Sequence, residues 1–177
     1  MVNNQQVILV DENDNDIGSM EKIEAHRKGL KHRALSIFIF NSKGEMLLQQ
    51  RAWTKYHSGG LWSNACCTHP APKELTDLAA LRRLNEEMGF TTSLTEIFNF
   101  SYKACFANGL IENEFDHVFI GEHEGGISVN PAEVSDYLFK PMEEIKNELQ
   151  SVPEKYTEWF KIAFSKIETW WKQRYLE

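Results

Sequence analysis

The feature that most constrains the fold is a run of apolar, β-branched and aromatic side chains over residues 34–40. Side chains of this kind favour a β-strand. Residues 41–44 have a composition typical of a tight turn, and residues 45–51 continue as a second strand. We therefore predict a β-hairpin over residues 34–51.

A helix is predicted directly before Gly89. Apolar side chains recur there at spacings of three and four residues, which places them on one helical face, at Leu75, Leu78, Leu81, Leu84 and Met88. Glycine is common just past the end of a helix, so the helix should stop at Gly89. The opposite face is expected to carry Arg82, Arg83, Glu86 and Glu87.

Two long strands, joined at residues 107–109, are predicted over residues 96–106 and 110–121. A two-residue turn would place Lys103 opposite Glu114. A three-residue loop with Gly109 in the left-handed region would instead place Tyr102 opposite that glutamate. The sequence leaves this register open.

The remaining segments add a strand over residues 7–10, a short helix over residues 142–149 and a long helix opened by Pro153. The long helix carries an apolar stripe at Phe160, Ala163, Phe164, Ile167, Trp171 and Tyr175. Strands mixed with helices in 177 residues, without a repeat or a linker, predict one α+β domain over residues 1–177.

Composition excludes several classes of function. A net charge of −7 argues against an electrostatic nucleic-acid binder, and no apolar run approaches the roughly 20 residues that span a membrane. Residues 1–6 lack the features of a signal peptide, and three cysteines, two of them adjacent, do not make a secreted disulfide framework. We expect a cytoplasmic protein that binds neither nucleic acid nor membrane, and nothing in the sequence requires more than a monomer.

Two short segments carry most of the chemistry. Cys67 lies two residues before His69, and Glu112 lies two residues before Glu114. Together they supply a thiol and three potential metal ligands. Two carboxylates on one face of a strand repel each other unless a cation lies between them. A buried structural cysteine and half of a zinc site are simpler interpretations, although no second ligand pair completes such a zinc site.

The other cysteines and histidines have no such context. Cys66 should point away from Cys67 if this segment is extended. Cys105 is expected in the core or at the surface. An exposed position is the simplest expectation for the remaining histidines, His57, His117 and His123. The alternative for His57, which shares a loop with Lys55, is an approach to the substrate.

The helix before Gly89 belongs to a longer pattern. It matches the spacing of the Nudix box, the helix that holds magnesium on a diphosphate in that superfamily, at Thr68, Glu74, Arg82, Leu84, Glu86, Glu87, Gly89 and Phe90. Two positions depart from the box. Thr68 replaces a glycine, and Arg83 replaces the glutamate of an arginine-glutamate pair, which weakens the case for hydrolysis.

Together with the segments around Cys67 and Glu112, this departure makes the chain resemble type I isopentenyl diphosphate isomerases over nearly its whole length. The resemblance implies a Nudix-type mixed sheet flanked by helices. It also implies interconversion of isopentenyl and dimethylallyl diphosphate through a tertiary carbocation, in isoprenoid precursor biosynthesis. The implied catalytic residues are Cys67, Glu114, Tyr102 and Trp159.

The same resemblance implies two metal sites and a cationic substrate site. One divalent ion, manganese or zinc, would be held by His26, His32, His69, Glu112 and Glu114. Magnesium would lie between Glu87 and a diphosphate bound by Lys22, Arg51, Lys55 and Arg83. The metal identity and the direction-specific proton donor stay open. A Nudix pyrophosphohydrolase and a non-catalytic metal-binding module are the rival functions.

Overall fold

The computed structural model describes residues 5–176. Residues 1 and 177, the ends of the predicted domain, lie outside this range, as do four of the six residues in which no signal peptide is expected. That the chain forms one domain therefore stays a prediction. Among the described residues, no helix combines the length and the apolar character needed to cross a membrane.

Nine strands form one mixed sheet within this part of the chain. In chain order they are β1 (Gln6–Val10), β2 (Asp16–Glu21), β3 (His32–Phe40), β4 (Met46–Arg51), β5 (Trp62–Asn64), β6 (Cys66–Thr68), β7 (Thr95–Cys105), β8 (Ile111–Glu122) and β9 (Val134–Lys140). The flanking helices are α1 (Lys22–Lys28), α2 (Thr76–Met88), α3 (Met142–Ser151) and α4 (Glu158–Tyr175). This architecture confirms the predicted α+β class.

Strand β3 lies inside the sheet. It runs parallel to β8, from His32 opposite Glu114 to Phe40 opposite Glu122, and antiparallel to β1, β4 and β6. Its apolar side chains alternate between two hydrophobic clusters, one packed under α4 and the other under α2. The apolar run over residues 34–40 is therefore a strand covered on both faces.

The first predicted hairpin is correct at its turn and wrong along its length. β3 and β4 pair at Phe40 and Met46 and then separate. The space between them is filled by β5, which pairs with β4, and by β6, which pairs with β3. Asn64 stabilises the connection between β5 and β6, since its amide nitrogen donates to the Ile37 and Cys66 carbonyls at 3.0 and 2.9 Å. Strand β6 therefore lies within the sheet.

Helix α2 ends at Gly89 as predicted, with a φ of 75° at the glycine, but its buried face differs from the expected one. Leu75 and Leu78 are 65% and 54% exposed. The side chains that face the sheet are partly small ones, which allow a helix to approach closely, and are Ala79, Ala80, Leu84, Glu87 and Met88. The predicted polar face is therefore wrong at Glu87, which is buried.

The connection between β7 and β8 decides the open register. The N–H of Phe106 donates to the Leu110 carbonyl at 2.9 Å, and Gly109 has a φ of 82°. These features define the three-residue loop, because glycine adopts the left-handed region without strain. Tyr102 accordingly lies opposite Glu114.

The C-terminal helices differ partly from the prediction. Helix α3 is confirmed, but Pro153 opens a short 3₁₀ turn, and α4 begins after Thr157. Between the two, the chain runs beside β5, where the N–H of Thr157 donates to the Trp62 carbonyl at 3.0 Å. This contact fixes the first turn of α4. The predicted stripe is buried at Phe160, Ala163, Phe164 and Ile167 and half-buried at Trp171 and Tyr175.

Candidate active site

One cavity gathers most of the residues that the sequence predicts to be functional. It is lined by Cys67, Tyr102, Glu114 and Trp159, by His69 and Glu112, and by the cations Lys22, Arg51, Lys55 and Arg83. The remaining predicted metal ligands are buried beside this wall rather than in it, at His26, His32 and Glu87.

The half-buried thiol of Cys67 lies in a mainly neutral environment. It donates to Asn64 Oδ1 at 2.9 Å, and the indole N–H of Trp159 donates to its sulfur at 2.8 Å. Burial, and then the nearby Asp116 carboxyl, raises the pKa of Cys67 to about 12. The group is therefore a protonated thiol at neutral pH.

The two adjacent cysteines point to opposite faces of β6, as predicted. Cys66 is fully buried in the cluster under α2, whereas Cys67 packs against the cluster under α4. Cys105 is exposed. Cys67 is the cysteine that reaches the cavity.

Two buried carboxylates both contact the hydroxyl of one tyrosine. Glu112 and Glu114 share a face of β8, and the Tyr102 hydroxyl lies 2.7 Å from Glu112 Oε2 and 2.6 Å from Glu114 Oε2. A hydroxyl has one proton, so it donates to only one of these carboxylates at a time. Like charges this close are unfavourable unless a positive charge joins them.

Histidines supply positive or donor groups to Glu114. His69 Nε2 lies 2.8 Å and His32 Nε2 lies 3.4 Å from Glu114 Oε1. Burial alone would raise the pKa of Glu114, but the neighbouring His32 and His69 imidazoles outweigh it and hold that pKa well below its usual value. Ligand atoms from four side chains lie within 4.8 Å of one another, in His26, His32, His69 and Glu114.

The orientation of these rings fits a divalent metal ion. His26 Nδ1 bonds the Lys22 carbonyl at 2.6 Å, and His32 Nδ1 bonds the Leu30 carbonyl at 2.8 Å. Contacts of this kind fix the orientation of a metal-ligating histidine. They leave both Nε2 atoms buried and without a hydrogen-bond partner among residues 5–176. Imidazoles with a carboxylate are a suitable donor set for zinc or manganese.

Glu112, which is expected in the same group, lies outside it and belongs to a second group that shares only His26 with the first. Its ligand atom groups with those of His26 and His57. The expectation that His57 lies in an exposed loop is wrong, since the residue is 6% exposed and its ring stacks on Phe106. The only sequence signal for a functional His57 is its place in the same loop as Lys55. Its burial depends on stacking against Phe106, which is distant along the chain and could not be predicted from local sequence.

Two further histidines also differ from the expected surface positions. His117 is half-buried and contacts Asp14 and Glu96 at 2.9 and 2.7 Å. His123 is half-buried and stacks on Phe90, with 3.7 Å between ring centroids. Neither ring belongs to the groups of potential metal ligands found among the described residues.

The cations of the cavity lie close to one another. Burial, and then the charges of Lys55 and Arg51, lowers the pKa of Lys22 to about 8. The guanidinium of Arg51 lies 5.1 Å from the Trp159 ring, and its Nε has no hydrogen-bond partner among the described side chains and backbone. A bound anion would relieve the repulsion among these cations.

Helix α2 carries two ion pairs of the same spacing. Arg83 Nη2 lies 2.6 Å from Glu87 Oε1, and this pair is largely buried. Arg82 Nη1 lies 3.1 Å from Glu86 Oε1, in the more exposed pair. The predicted salt-bridged face is therefore divided between solvent and the cavity.

Asp116 is a functional candidate that the sequence analysis missed. It is 1% exposed, accepts a hydrogen bond from the Ser36 hydroxyl at 2.7 Å, and that hydroxyl lies 3.7 Å from the Cys67 sulfur. Burial and the charge of Glu114 raise the pKa of Asp116 well above its usual value. The alternation along β8 was the available signal, because it places residue 116 on the same face as residues 112 and 114.

Solved structures and domain families define the class of this protein. The NUDIX domain family matches residues 30–160. A crystal structure from Deinococcus radiodurans has a TM-score of 0.70 at 16% identity, covering 84% of this chain and 90% of that one. A MutT protein from Methanosarcina mazei Go1 has a TM-score of 0.66 at 20% identity, covering 78% and 94%. The fold is that of a NUDIX-domain protein.

Relatives with higher sequence identity narrow this class. A protein of Pectobacterium atrosepticum named isopentenyl-diphosphate Delta-isomerase is 51% identical over 167 residues, which cover 94% of this chain and 93% of the relative. A protein of the same name from Serratia proteamaculans is 48% identical over 156 residues, which cover 88% and 87%. The chain belongs to the isopentenyl-diphosphate Delta-isomerase family, which confirms the resemblance found in the sequence.

Proposed function

We propose that this chain interconverts isopentenyl diphosphate and dimethylallyl diphosphate. One proton is added to the terminal alkene carbon, a tertiary carbocation forms, and one proton leaves the neighbouring carbon, so the protons balance. The observation that carries the proposal is one cavity that holds a protonated thiol and an ionised carboxylate, Cys67 and Glu114. Environments that drive two titratable groups apart are typical of acid/base pairs.

Each proposed catalytic side chain has a distinct role. Strands β6 and β8 flank β3, so Cys67 and Glu114 reach the cavity from different strands. Tyr102, bonded to Glu114, would hold or pass the proton of that carboxylate. Trp159 would stabilise the carbocation, because an indole face attracts positive charge. The burial of these groups excludes water that would trap the cation.

The histidine and glutamate side chains would hold a divalent ion, manganese or zinc, through His26, His32, His69, Glu112 and Glu114. An ion at this centre supplies the positive charge that two neighbouring carboxylates require. Glu87 would share magnesium with the substrate diphosphate. To do so it would exchange part of its contact with Arg83 for the ion.

The cationic residues would bind the diphosphate. The unpaired Nε of Arg51 and the lowered pKa of Lys22 both indicate a site that an anion would stabilise. Arg83 and Lys55 each contact Glu133. Binding of a diphosphate would replace that carboxylate as their partner, because a diphosphate offers more negative charge and more acceptor oxygens than one carboxylate.

We further propose a monomer that works in the cytoplasm on a small diphosphate, without nucleic acid or membrane as a partner. The acidic net charge of −7 supports the absence of a nucleic-acid partner. The free state of Cys66, Cys67 and Cys105 supports a reducing compartment.

The deciding experiment is incubation with isopentenyl diphosphate and magnesium in deuterated water. We expect dimethylallyl diphosphate with deuterium in a methyl group, detected by NMR. A parallel assay with nucleoside triphosphates, sugar nucleotides and dinucleoside polyphosphates should release no product above background. Robust hydrolysis without isomer formation would instead establish the pyrophosphohydrolase.

A further inference from the structure

Glu133 is an acidic side chain among the cations of the proposed diphosphate site. It lines a groove that adjoins the cavity and shares Lys22, Lys55 and Arg83 with it. Glu21, the other acidic residue that lines the groove, accepts hydrogen bonds from backbone N–H groups at the start of α1 instead. A carboxylate at the approach to an anion site disfavours anion binding, so the position of Glu133 calls for an explanation.

The Glu133 carboxylate is shared between two cations. Its Oε2 atom contacts Lys55 Nζ, and its Oε1 atom lies 3.3 Å from Arg83 Nη2. Only 22% of the Glu133 side chain and 20% of the Lys55 side chain are exposed, so water screens their ion pair incompletely. Burial alone would raise the pKa of Glu133, but Lys55 and Arg83 outweigh it and lower that pKa. Glu133 therefore supplies an ionised group where a bound anion would otherwise lie.

The backbone around Glu133 is anchored on both sides. The N–H of Glu133 donates to the Asn130 carbonyl at 2.9 Å, and its carbonyl accepts from the N–H of Ala52, directly after β4, at 2.9 Å. The N–H of Asn130 donates in turn to the Glu87 carbonyl of α2 at 2.9 Å. The turn is thus joined to the segments that carry the two cations. Rotation of the Glu133 side chain can release them while this backbone stays in place.

Arg83 is held in position without Glu133. Its guanidinium donates to Thr68 Oγ1 at 3.1 Å, to Glu86 Oε2 at 2.7 Å and to Glu87 Oε1 at 2.6 Å. The contact with Glu133, at 3.3 Å, is the longest of the four. Because three shorter hydrogen bonds already fix the guanidinium, the main contribution of Glu133 to Arg83 is its negative charge.

We propose that Glu133 is an internal competitor of the substrate diphosphate, which occupies Lys55 and Arg83 in the free protein and lowers the affinity for any ligand that needs them. The inference rests on the proposed function and deepens it. Lys22 and Arg51 form no ion pair with Glu133 in the part of the chain that the structure describes, so they are available to an entering diphosphate. Substrate and product carry the same diphosphate, and binding that is equal for both does not accelerate the chemical step. Return of Glu133 to its two partners favours release of the product.

Binding of inorganic pyrophosphate to metal-free protein tests this competition. Calorimetric titrations compare the unmodified chain with Glu133→Gln, Glu133→Ala and Glu168→Gln, after circular dichroism has verified folding. Glu168 is the matched control, because its carboxylate also joins two cations, Lys146 and Lys172, and its side chain is 18% exposed. We expect both Glu133 variants to bind pyrophosphate about three- to tenfold more tightly, since the competing ion pair is partly buried. Glu168→Gln should bind like the unmodified chain.

The direction of the change is diagnostic, because simple damage to the site would weaken binding. In the isomerase assay, Glu133→Gln should lower the KM for isopentenyl diphosphate and the inhibition constant of dimethylallyl diphosphate by similar factors. Unchanged or weaker pyrophosphate binding by folded Glu133 variants, or an equal gain in Glu168→Gln, would overturn the competitor while isomer formation by the unmodified chain upholds the proposed function. Tighter binding in the Glu133 variants of a chain that forms no isomer would support the competitor and overturn the isomerase.

Discussion

Cys67 and Glu114 are both shielded from water, Cys67 partly and Glu114 almost fully, but their surroundings are electrostatically opposite. Around Cys67 the contacts are an amide oxygen and an indole N–H, and the pKa of the thiol is raised to about 12. Around Glu114 the contacts are two imidazoles and a phenol, and the pKa of the carboxyl is held well below its usual value. Burial alone therefore does not set the protonation state, and the partners decide it.

The comparison explains how a rigid site can give and take a proton on one substrate. A reaction that adds one proton and removes another needs one protonated and one ionised group at the start. The neutral side keeps its proton without a counterion. The ionised side requires the histidines, and in the proposed function the metal ion, to remain charged.

Removal of the thiol should have the largest effect. We expect Cys67→Ala to lower isomerase activity by ~10²–10⁴-fold, the usual contribution of a proton-transfer group, while metal content and circular dichroism stay unchanged. Cys66→Ala is the matched control, because it deletes the same atom on the opposite face of β6. Equal losses in the two variants would contradict the assignment of Cys67.

The ionised side should be sensitive to loss of its histidines. We expect His69→Ala and Glu112→Ala to lower bound-metal stoichiometry after purification and to weaken affinity at least roughly tenfold, because a site assembled from several segments depends on each ligand. His117→Ala should retain the metal. A fully metallated His69→Ala protein would show that His69 is not a ligand.

The two ion pairs of α2 allow a sharper test of substrate binding. We expect Arg83→Ala to raise the KM for isopentenyl diphosphate by roughly 10–100-fold, the equivalent of a charge-assisted hydrogen bond, with a smaller fall in kcat, as expected for loss of uniform binding. Arg82→Ala is the control, since Arg82 pairs with Glu74 and Glu86 away from the cavity. If kcat falls more than KM rises, Arg83 acts in the chemical step.

The smallest effect concerns stability. The pKa of Asp116 is raised in the folded state, so its favourable neutral form is fully present below the unfolded pKa near 4 and is lost as pH rises towards the folded value. In metal-free protein, Asp116→Asn should remove this loss and raise the unfolding free energy at neutral pH. The expected gain is about 1.4 kcal/mol for each pH unit by which the folded pKa exceeds the unfolded one, up to neutral pH. Denaturant titrations at several pH values give this difference. Parallel pH profiles for both proteins would exclude a raised pKa.

The sequence predicted individual strands and helices more accurately than it predicted how they pair and pack. Local patterns located five of the nine strands that the structure describes, the end of α2 at Gly89 and the opposite orientations of Cys66 and Cys67. They failed at Leu75 and Leu78. Periodicity shows that a helix has an apolar face, but it does not show that small side chains of the helix pack against the sheet in place of these leucines. The divergence of β3 and β4 depends on residues 62–68, which no local pattern connects to that hairpin.

The same distinction between local patterns and long-range contacts applies to the candidate site. Tyr102 depended on the length of one loop, which is a choice between two turn geometries of similar energy. His57 depends on stacking against Phe106, and Asp116 on a hydroxyl of β3, so both belong to contacts between distant segments. The resemblance to a family supplied the remaining residues, since residues drawn from such separate segments share no local pattern.

The position of β3 has a consequence for how the protein is made. Ser36 and its partner Asp116 are separated by 80 residues, so a ribosome must synthesise most of the chain before β8 can close against β3. Until then, an apolar strand with one unpaired edge is available for pairing with other nascent chains. Non-local parallel pairing of this kind is slow. We therefore expect the cavity to form last.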